Sequence, residues 1–179
     1  MLWRVQAGRR PGGGVCVAVD VHYRPGGGAQ AAAVVAADAT FGRLLSDRTG
    51  QVAEVPPYHS GQFYLRELPP LQAVLDGMRL LIVDGYADLD PAGRPGLGAH
   101  AHAEFGVPVI GAAKTAFRTA TCAVPIVRGE SSARPLFITA AGMSRHQAAD
   151  LVRHMAGRHR VPDALRRADA LARGRAPRP

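Results

Sequence analysis

Lysine is the scarcest basic residue in this 179-residue sequence: Lys114 is the only one, against 21 arginines. Acidic residues are also few, with four glutamates and ten aspartates, so the formal net charge is +8. A positive chain is compatible with nucleic acid as a partner. However, a composition rich in Ala, Arg and Gly and poor in lysine is also typical of a GC-rich coding bias, so charge alone decides nothing.

Three further absences exclude classes of protein. The longest apolar runs, around residues 31–37 and 80–83, are far shorter than the roughly 20 residues that a membrane span needs. Residues 1–10 lack the apolar core of an export signal, so we expect a cytoplasmic protein without a membrane partner. Cys16 and Cys122 have no CxxC partner, which indicates buried thiols in a reducing compartment. The hydrophobic content of 47% fits a soluble globular protein.

The order of the predicted elements indicates the fold. We expect a flexible lead-in over residues 1–14, one domain over residues 15–172 and a basic tail over residues 173–179. Strands are predicted at 15–23, 30–37, 51–55, 80–85, 107–111, 123–127 and 135–139, and helices at 63–77, 98–105, 145–155 and 163–171. Antiparallel strands followed by parallel βαβ units are typical of an α/β, ribonuclease H-like mixed sheet flanked by helices.

Three acidic residues are candidates for a metal site. Asp20 and Asp84 each come at or near the end of a run of buried, β-branched residues. If those strands are neighbours, both carboxylates project at one end of the sheet, where α/β proteins usually bind ligands. Glu67, at the start of the first long helix, could reach the same place. Oxygen ligands without a Cys/His cluster suit Mg²⁺ or Mn²⁺ rather than zinc, and such ions can activate water in phosphodiester cleavage.

Each candidate also has a plain structural interpretation. Either aspartate alone is more simply a turn former or a helix cap, and an exposed glutamate on a helix is ordinary. Two aspartates after buried strands in an acid-poor chain favour a site. Lys114 follows a predicted strand end, and it lies on the side of Asp84 if the two strands run parallel. Because arginine replaces lysine elsewhere in the chain, this one lysine indicates a role for a compact ammonium group, although its retention by chance on a surface loop explains it too.

Several short motifs, in order, resemble the endonuclease V family, whose members are metal-dependent nucleases that nick nucleic acid near deaminated adenine. The resemblance runs from about Val17 to Leu171. The matching segments are VDVHY at 19–23, PY at 57–58, FYLRELP at 63–69, LIVDG at 81–85, IGAAK at 110–114, PLFI at 135–138 and RVP at 160–162, with Asp169 closing the series. Each segment is short, and their order and spacing carry the resemblance.

The resemblance implies roles for individual residues. The catalytic residues would be Asp20, Glu67, Asp84 and Lys114, with the lysine near the scissile phosphate. The three carboxylates would bind Mg²⁺, for which Mn²⁺ could substitute, and Asp169 would lie near that metal. Substrate-binding positions would be Tyr58, Gly61, Gly85 and Tyr86, of which Tyr58 is the aromatic at the tip of a strand-separating wedge. Stacking on such an aromatic offsets roughly 1–3 kcal/mol of the cost of displacing a base.

Departures from the family pattern fall on substrate recognition rather than on the metal set. Ala87 and Asp90 stand where the family usually has glycine and histidine, His59-Ser60 replaces part of the PYxPG loop, and Met143-Ser144 falls where the family has GHR. The leading hypothesis is therefore a monomeric Mg²⁺-dependent endonuclease acting on inosine-containing DNA or RNA. Alternatives are a nucleic-acid-binding protein without catalysis or with altered specificity, and a nucleotide or small-molecule hydrolase on the same fold.

Overall fold

The computed structural model describes residues 14–57, 64–130 and 133–176, which form a seven-stranded sheet with helices on both faces. The strands are β1 (Val15–Tyr23), β2 (Ala29–Ala36), β3 (Leu44–Val52), β4 (Met78–Val83), β5 (Val109–Ala113), β6 (Val124–Ile126) and β7 (Leu136–Ala141). The helices are α1 (Tyr64–Gln72), α2 (Leu97–Phe105), α3 (Arg145–Arg153) and α4 (Asp163–Ala172). No helix within these described ranges is long and apolar enough to cross a membrane.

The sheet has the strand order β3-β2-β1-β4-β5-β7-β6. The first three strands pair antiparallel, and β4 and β5 then continue parallel to β1. The last two strands, β7 and β6, run antiparallel at the far edge. Because β1, β4 and β5 are parallel neighbours, their carboxyl ends meet at one edge of the sheet. This arrangement is the predicted ribonuclease H-like sheet, antiparallel first and parallel after.

Each face of the sheet has its own apolar core because side chains alternate along every strand. Cys16, Ala18 and Ile82 lie on the face covered by α3 and α4. Val19 and Val83 lie on the opposite face, which α1 and α2 cover. The three central strands are therefore buried on both sides, which explains their nearly continuous apolar sequences.

Two predicted elements were placed wrongly. The third strand was predicted at 51–55, but β3 begins at Leu44 and pairs with β2 along its whole length. Its sequence is polar and its residues are mostly exposed, since it is an edge strand, so its apolar pattern is weak. The helix predicted at 63–77 ends at Gln72. Pro69 and Pro70 inside it each lack an N–H donor, and the next N–H groups, of Ala73 and Val74, donate to carbonyls only three residues back.

Candidate active site

The register of the sheet brings Asp20 and Asp84 together. Val19 pairs with Val83 in the parallel ladder of β1 and β4, so the two aspartates that follow lie at the same level. Both continue the alternation of residues that face α3 and α4. The prediction that these carboxylates project at one end of the sheet is consistent with this register. Two carboxylates at the same level need neighbouring groups that offset their charge.

Lys114 lies one residue beyond β5, on the same face, and its ammonium group forms an ion pair with Oδ2 of Asp84. Burial would lower the pKa of Lys114, but the hydrogen bond and charge of Asp84 outweigh it, so the pKa is raised above its usual value. The side chains remain 40% and 25% exposed, respectively, so the pair is open to solvent and to a ligand. The lysine is therefore held charged beside the carboxylates.

Glu67 reaches the site from α1, on the opposite face of the sheet, and is only 6% exposed. The hydroxyl of Tyr23 donates a hydrogen bond to its Oε1, and the Arg66 guanidinium lies 4.3 Å from the centre of the Tyr23 ring. Burial, reinforced by the charges of Asp20 and Asp84, raises the pKa of Glu67 to about 7. Its carboxylate is therefore a buried group whose negative charge lacks full compensation.

Asp169, on α4, closes the site from the other face. Its Oδ1 accepts a hydrogen bond of 2.8 Å from Nε of Arg173, one helical turn further on. Burial would raise the pKa of Asp169, but Arg173 outweighs it and the pKa is lowered. In contrast, burial and then the charge of Asp84 raise the pKa of Asp20, which shares a hydrogen bond with Asp169. The two carboxyl groups are therefore close enough to affect each other's pKa, which is raised for Asp20 and lowered for Asp169.

Four carboxyl groups thus influence one another at one edge of the sheet, against the single ammonium of Lys114. Their oxygen-only chemistry and surplus negative charge fit a hard divalent cation such as Mg²⁺. Within the described ranges, however, no three carboxylate, imidazole or thiol groups are grouped as a metal site would require. The residues supply suitable ligands, but Asp84 is engaged by Lys114 and Glu67 by Tyr23.

Two arginines to which the sequence assigned no role position this edge of the site. Arg160 donates from Nη2 to the backbone carbonyls of Lys114 and of Pro135, the latter at 2.8 Å. Arg128 is 8% exposed and donates to the carbonyls of residues 155, 157 and 159, at 2.6–2.8 Å. Arg128 thus holds the segment that carries Arg160, and Arg160 holds the backbone of Lys114.

The loop after β4 carries the predicted substrate-binding residues Gly85 and Tyr86. Gly85 has φ +142°, a conformation that favours glycine. Its carbonyl oxygen would lie only 2.7 Å from a Cβ at Gly111 of β5, so this loop and β5 approach closely. The Tyr86 hydroxyl donates to the carbonyl of Thr115 at 2.7 Å and accepts from the Phe117 N–H at 2.9 Å. Tyr86 therefore ties the loop after β4 to the loop after β5.

Two predicted site residues, Tyr58 and Gly61, lie outside the described residues.

Three residues that hydrogen-bond to groups in or near the site were not predicted, for different reasons. Arg173 stands four residues after Asp169 on a helix, a spacing that predicts contact. Tyr23 lies on the opposite face of β1 from Asp20, and nothing in its local sequence indicates that it meets Glu67. Arg128 has no sequence signal, since one arginine among many is unremarkable.

Comparison with known proteins decides the family. The family model for endonuclease V matches residues 5–170. The chain belongs to the endonuclease V family. Endonuclease V of Streptomyces avermitilis is 30% identical over 192 residues, covering 94% of this chain and 83% of that protein. Endonuclease V of Azotobacter vinelandii is 32% identical over 187 residues, covering 91% and 84%. The predicted resemblance is confirmed.

Solved endonuclease V structures agree with the fold. The crystal structure of the Streptomyces avermitilis protein superposes with a TM-score of 0.74 at 28% identity, covering 93% of this chain and 83% of that one. A Ciona intestinalis endonuclease V, in complex with DNA containing an inosine followed by a ribo-adenosine, gives a TM-score of 0.76 at 18% identity. It covers 90% of this chain and 85% of its own. The predicted ribonuclease H-like fold is thereby confirmed.

Proposed function

We propose that this chain is a metal-dependent endonuclease that hydrolyses a phosphodiester bond near deaminated adenine, as inosine or deoxyinosine, in DNA or RNA. The observation that carries the proposal is that Asp20, Glu67, Asp84 and Asp169 influence one another electrostatically at one edge of the sheet, where Lys114 pairs with Asp84. Membership of the endonuclease V family supports it, as does the inosine-containing DNA bound to the Ciona intestinalis relative.

Asp20, Glu67 and Asp84 are the residues that would hold Mg²⁺ or Mn²⁺, with Asp169 beside them. When bound, the ion would polarise a phosphoryl oxygen and lower the pKa of a water molecule. The chain's own groups do the rest. Tyr23 orients the Glu67 carboxylate through its hydroxyl. Lys114, now paired with Asp84, supplies a point charge for a nonbridging oxygen of the scissile phosphate.

Recognition of the base is assigned to the loop after β4 and to the segment that contains Tyr58 and Gly61. The hydrogen bonds of the Tyr86 hydroxyl with the backbone of Thr115 and Phe117 hold Gly85 in place beside Asp84. A rigid loop at this position lowers the entropy cost of ordering a pocket around a displaced base.

Three further predictions stay predictions: that the protein acts as a monomer, that it acts in the cytoplasm, and that the chain divides into a lead-in, one domain and a tail.

A nicking assay tests the proposal. Strands that contain one inosine and matched strands with adenine are incubated with the full chain in Mg²⁺, Mn²⁺ or EDTA. We expect a nick in the inosine strand only, and only with metal. Asp84→Asn keeps the size of the side chain but removes its charge, and we expect it to lower the cleavage rate by about 10³-fold. Equal cleavage by wild type and Asp84→Asn would refute the assignment of the site.

One observation favours the second candidate function, binding of nucleic acid without cleavage. The described residues contain no three groups spaced to hold a metal ion. A protein of this kind would bind inosine-containing strands tightly and with a strong dependence on salt. Binding of that kind with no nicked product in either metal would identify it, whereas metal-dependent turnover would exclude it.

A further inference from the structure

A cavity of about 1070 Å³ opens beside the candidate active site and shares Lys114 and Asp169 with it. It is formed by α4, by the start of β3 at Leu44 and by the segment around Arg160. Its apolar lining includes small residues of α4, such as Ala164 and Ala170, that leave room for a ligand to approach the helix. We call this cavity the α4 groove. Because two residues are common to both, whatever occupies the groove continues directly into the site.

The α4 groove is lined by more cations than carboxylates, in contrast to the candidate active site beside it. Two carboxylates line it, Asp163 and Asp169. The cationic side chains that line it are Lys114, Arg134, Arg160, Arg166, Arg167 and Arg175. Six cations against two carboxylates, in a concave surface, favour an extended anion as the ligand.

Three of these cations keep charge available for a ligand. Arg160 donates to backbone carbonyls, which do not neutralise its charge. Arg175 is exposed and forms no ion pair with any residue in the described ranges. Arg166 pairs with Asp163 at 3.3 Å, an exposed i,i+3 pair of the kind that contributes little. Arg167 differs, because it is held by both oxygens of Asp47.

We propose that the α4 groove binds the phosphodiester backbone of the nucleic-acid strand that flanks the cleaved bond, with Arg166 and Arg175 contacting its phosphates. Guanidinium groups bind phosphate through paired hydrogen bonds as well as charge. Lys114 lines the groove and pairs with Asp84, so a backbone seated in the groove brings a phosphate to the carboxylates. This inference rests on the proposed function, since it takes the cleaved phosphate to lie at Lys114.

The test removes two groove charges and compares the result with the loss of two charges elsewhere. The test variant is Arg166→Gln with Arg175→Gln. Its control is Arg153→Gln with Arg79→Gln. Arg153 of α3 matches Arg166, since each side chain is 44% exposed and each forms an i,i+3 pair. Arg79 is exposed like Arg175 but lies at the start of β4, roughly 16 Å from Asp84 at 3.3 Å per residue.

Binding of an inosine-containing duplex is measured in EDTA at several salt concentrations, and cleavage is measured separately in Mg²⁺ and in Mn²⁺. Each phosphate contact contributes about 0.9 to the slope of log affinity against log salt on duplex DNA, so the test variant is expected to lose about 1.8. Its affinity at 0.1 M salt should fall by roughly tenfold or more. The control is expected to keep the wild-type slope, and thermal melting should show both variants folded.

Two results would overturn the proposal: a test variant with the wild-type slope, or a control that loses as much slope as the test variant. The second would mean that net charge, not the groove, governs binding. Failure of the proposed function is a different outcome. A loss of slope in the test variant, together with no nicked product from the wild type in either metal, would support the groove and refute the nuclease. Cleavage of the inosine strand by the wild type, together with a test variant that keeps the wild-type slope, would do the reverse.

Discussion

The candidate active site and the α4 groove are neighbours with opposite charge. The site gathers four carboxyl groups around one ammonium, whereas the groove gathers six cations around two carboxylates. Lys114 and Asp169 belong to both, and each is paired with a group of opposite sign: Lys114 with Asp84 and Asp169 with Arg173. The boundary between the two regions is thus built from ion pairs.

The difference shows how two kinds of ligand can be bound side by side. A divalent cation needs several carboxylates close together, although they repel one another. The raised pKa values of Asp20 and Glu67 reflect burial first and this repulsion second. A polyanion such as a nucleic-acid backbone needs positive charge instead, and the cations of the α4 groove supply it beside the carboxylates. Lys114 lies where the two fields meet, and we expect changes there to affect cleavage more than binding.

The largest effect is expected from Lys114→Arg. The change keeps the positive charge but replaces a compact ammonium by a larger, planar group that cannot occupy the same position beside Asp84. We expect the single-turnover cleavage rate to fall by about 10²-fold, roughly 2.7 kcal/mol of transition-state stabilisation, while affinity in EDTA stays within about twofold. Cleavage at the wild-type rate would mean that the single lysine is a coincidence of composition.

The second prediction concerns the wall of the groove. Arg128→Met removes the guanidinium that binds three backbone carbonyls in the segment before Arg160 and leaves those carbonyls without donors. We expect the free energy of unfolding, from urea denaturation, to fall by about 2.5 kcal/mol. Arg153→Met, at an exposed helix position, is the matched control and should change it by less than about 0.5 kcal/mol. A loss of the same size in both variants would show that Arg128 has no special role.

The smallest effect is expected from Glu67→Gln in metal-free protein. Because the pKa of Glu67 is raised from 4.5 to about 7 on folding, ionising it costs stability. In the wild type, the contribution of protonated Glu67 to the free energy of unfolding is fully present below pH 4.5 and is lost as the pH rises through about 7. The variant lacks this loss, so in EDTA at pH 8 we expect it to be more stable by on the order of 2 kcal/mol.

Thermal melting of both proteins at pH 4.5 and pH 8 measures this difference. At pH 4.5 the two melting temperatures should nearly coincide, since Glu67 is then largely protonated. Added Mg²⁺ should raise the melting temperature of the wild type and not that of the variant, because the ion offsets the carboxylate charge. A variant less stable than the wild type at pH 8 in EDTA would contradict the raised pKa.

The sequence by itself determined the central sheet and most of the proposed site. Continuous apolar, β-branched runs mark β1 and β4 because strands buried on both faces carry no polar alternation. The acids that follow such runs, Asp20 and Asp84, are conspicuous for the same reason. The lone Lys114 is visible from composition, and the ordered motifs indicate the family without any coordinates.

Only the tertiary structure decided how these residues are held. The edge strand β3 is polar and is recruited by pairing with β2, a non-local interaction that leaves no periodic pattern in its own sequence. Tyr23 meets Glu67 from 44 positions away along the chain, and Arg160 meets the backbone of Lys114 from 46 positions away. The charge of the α4 groove likewise depends on which arginines share one concave surface, and the sequence, with arginine throughout, does not distinguish them.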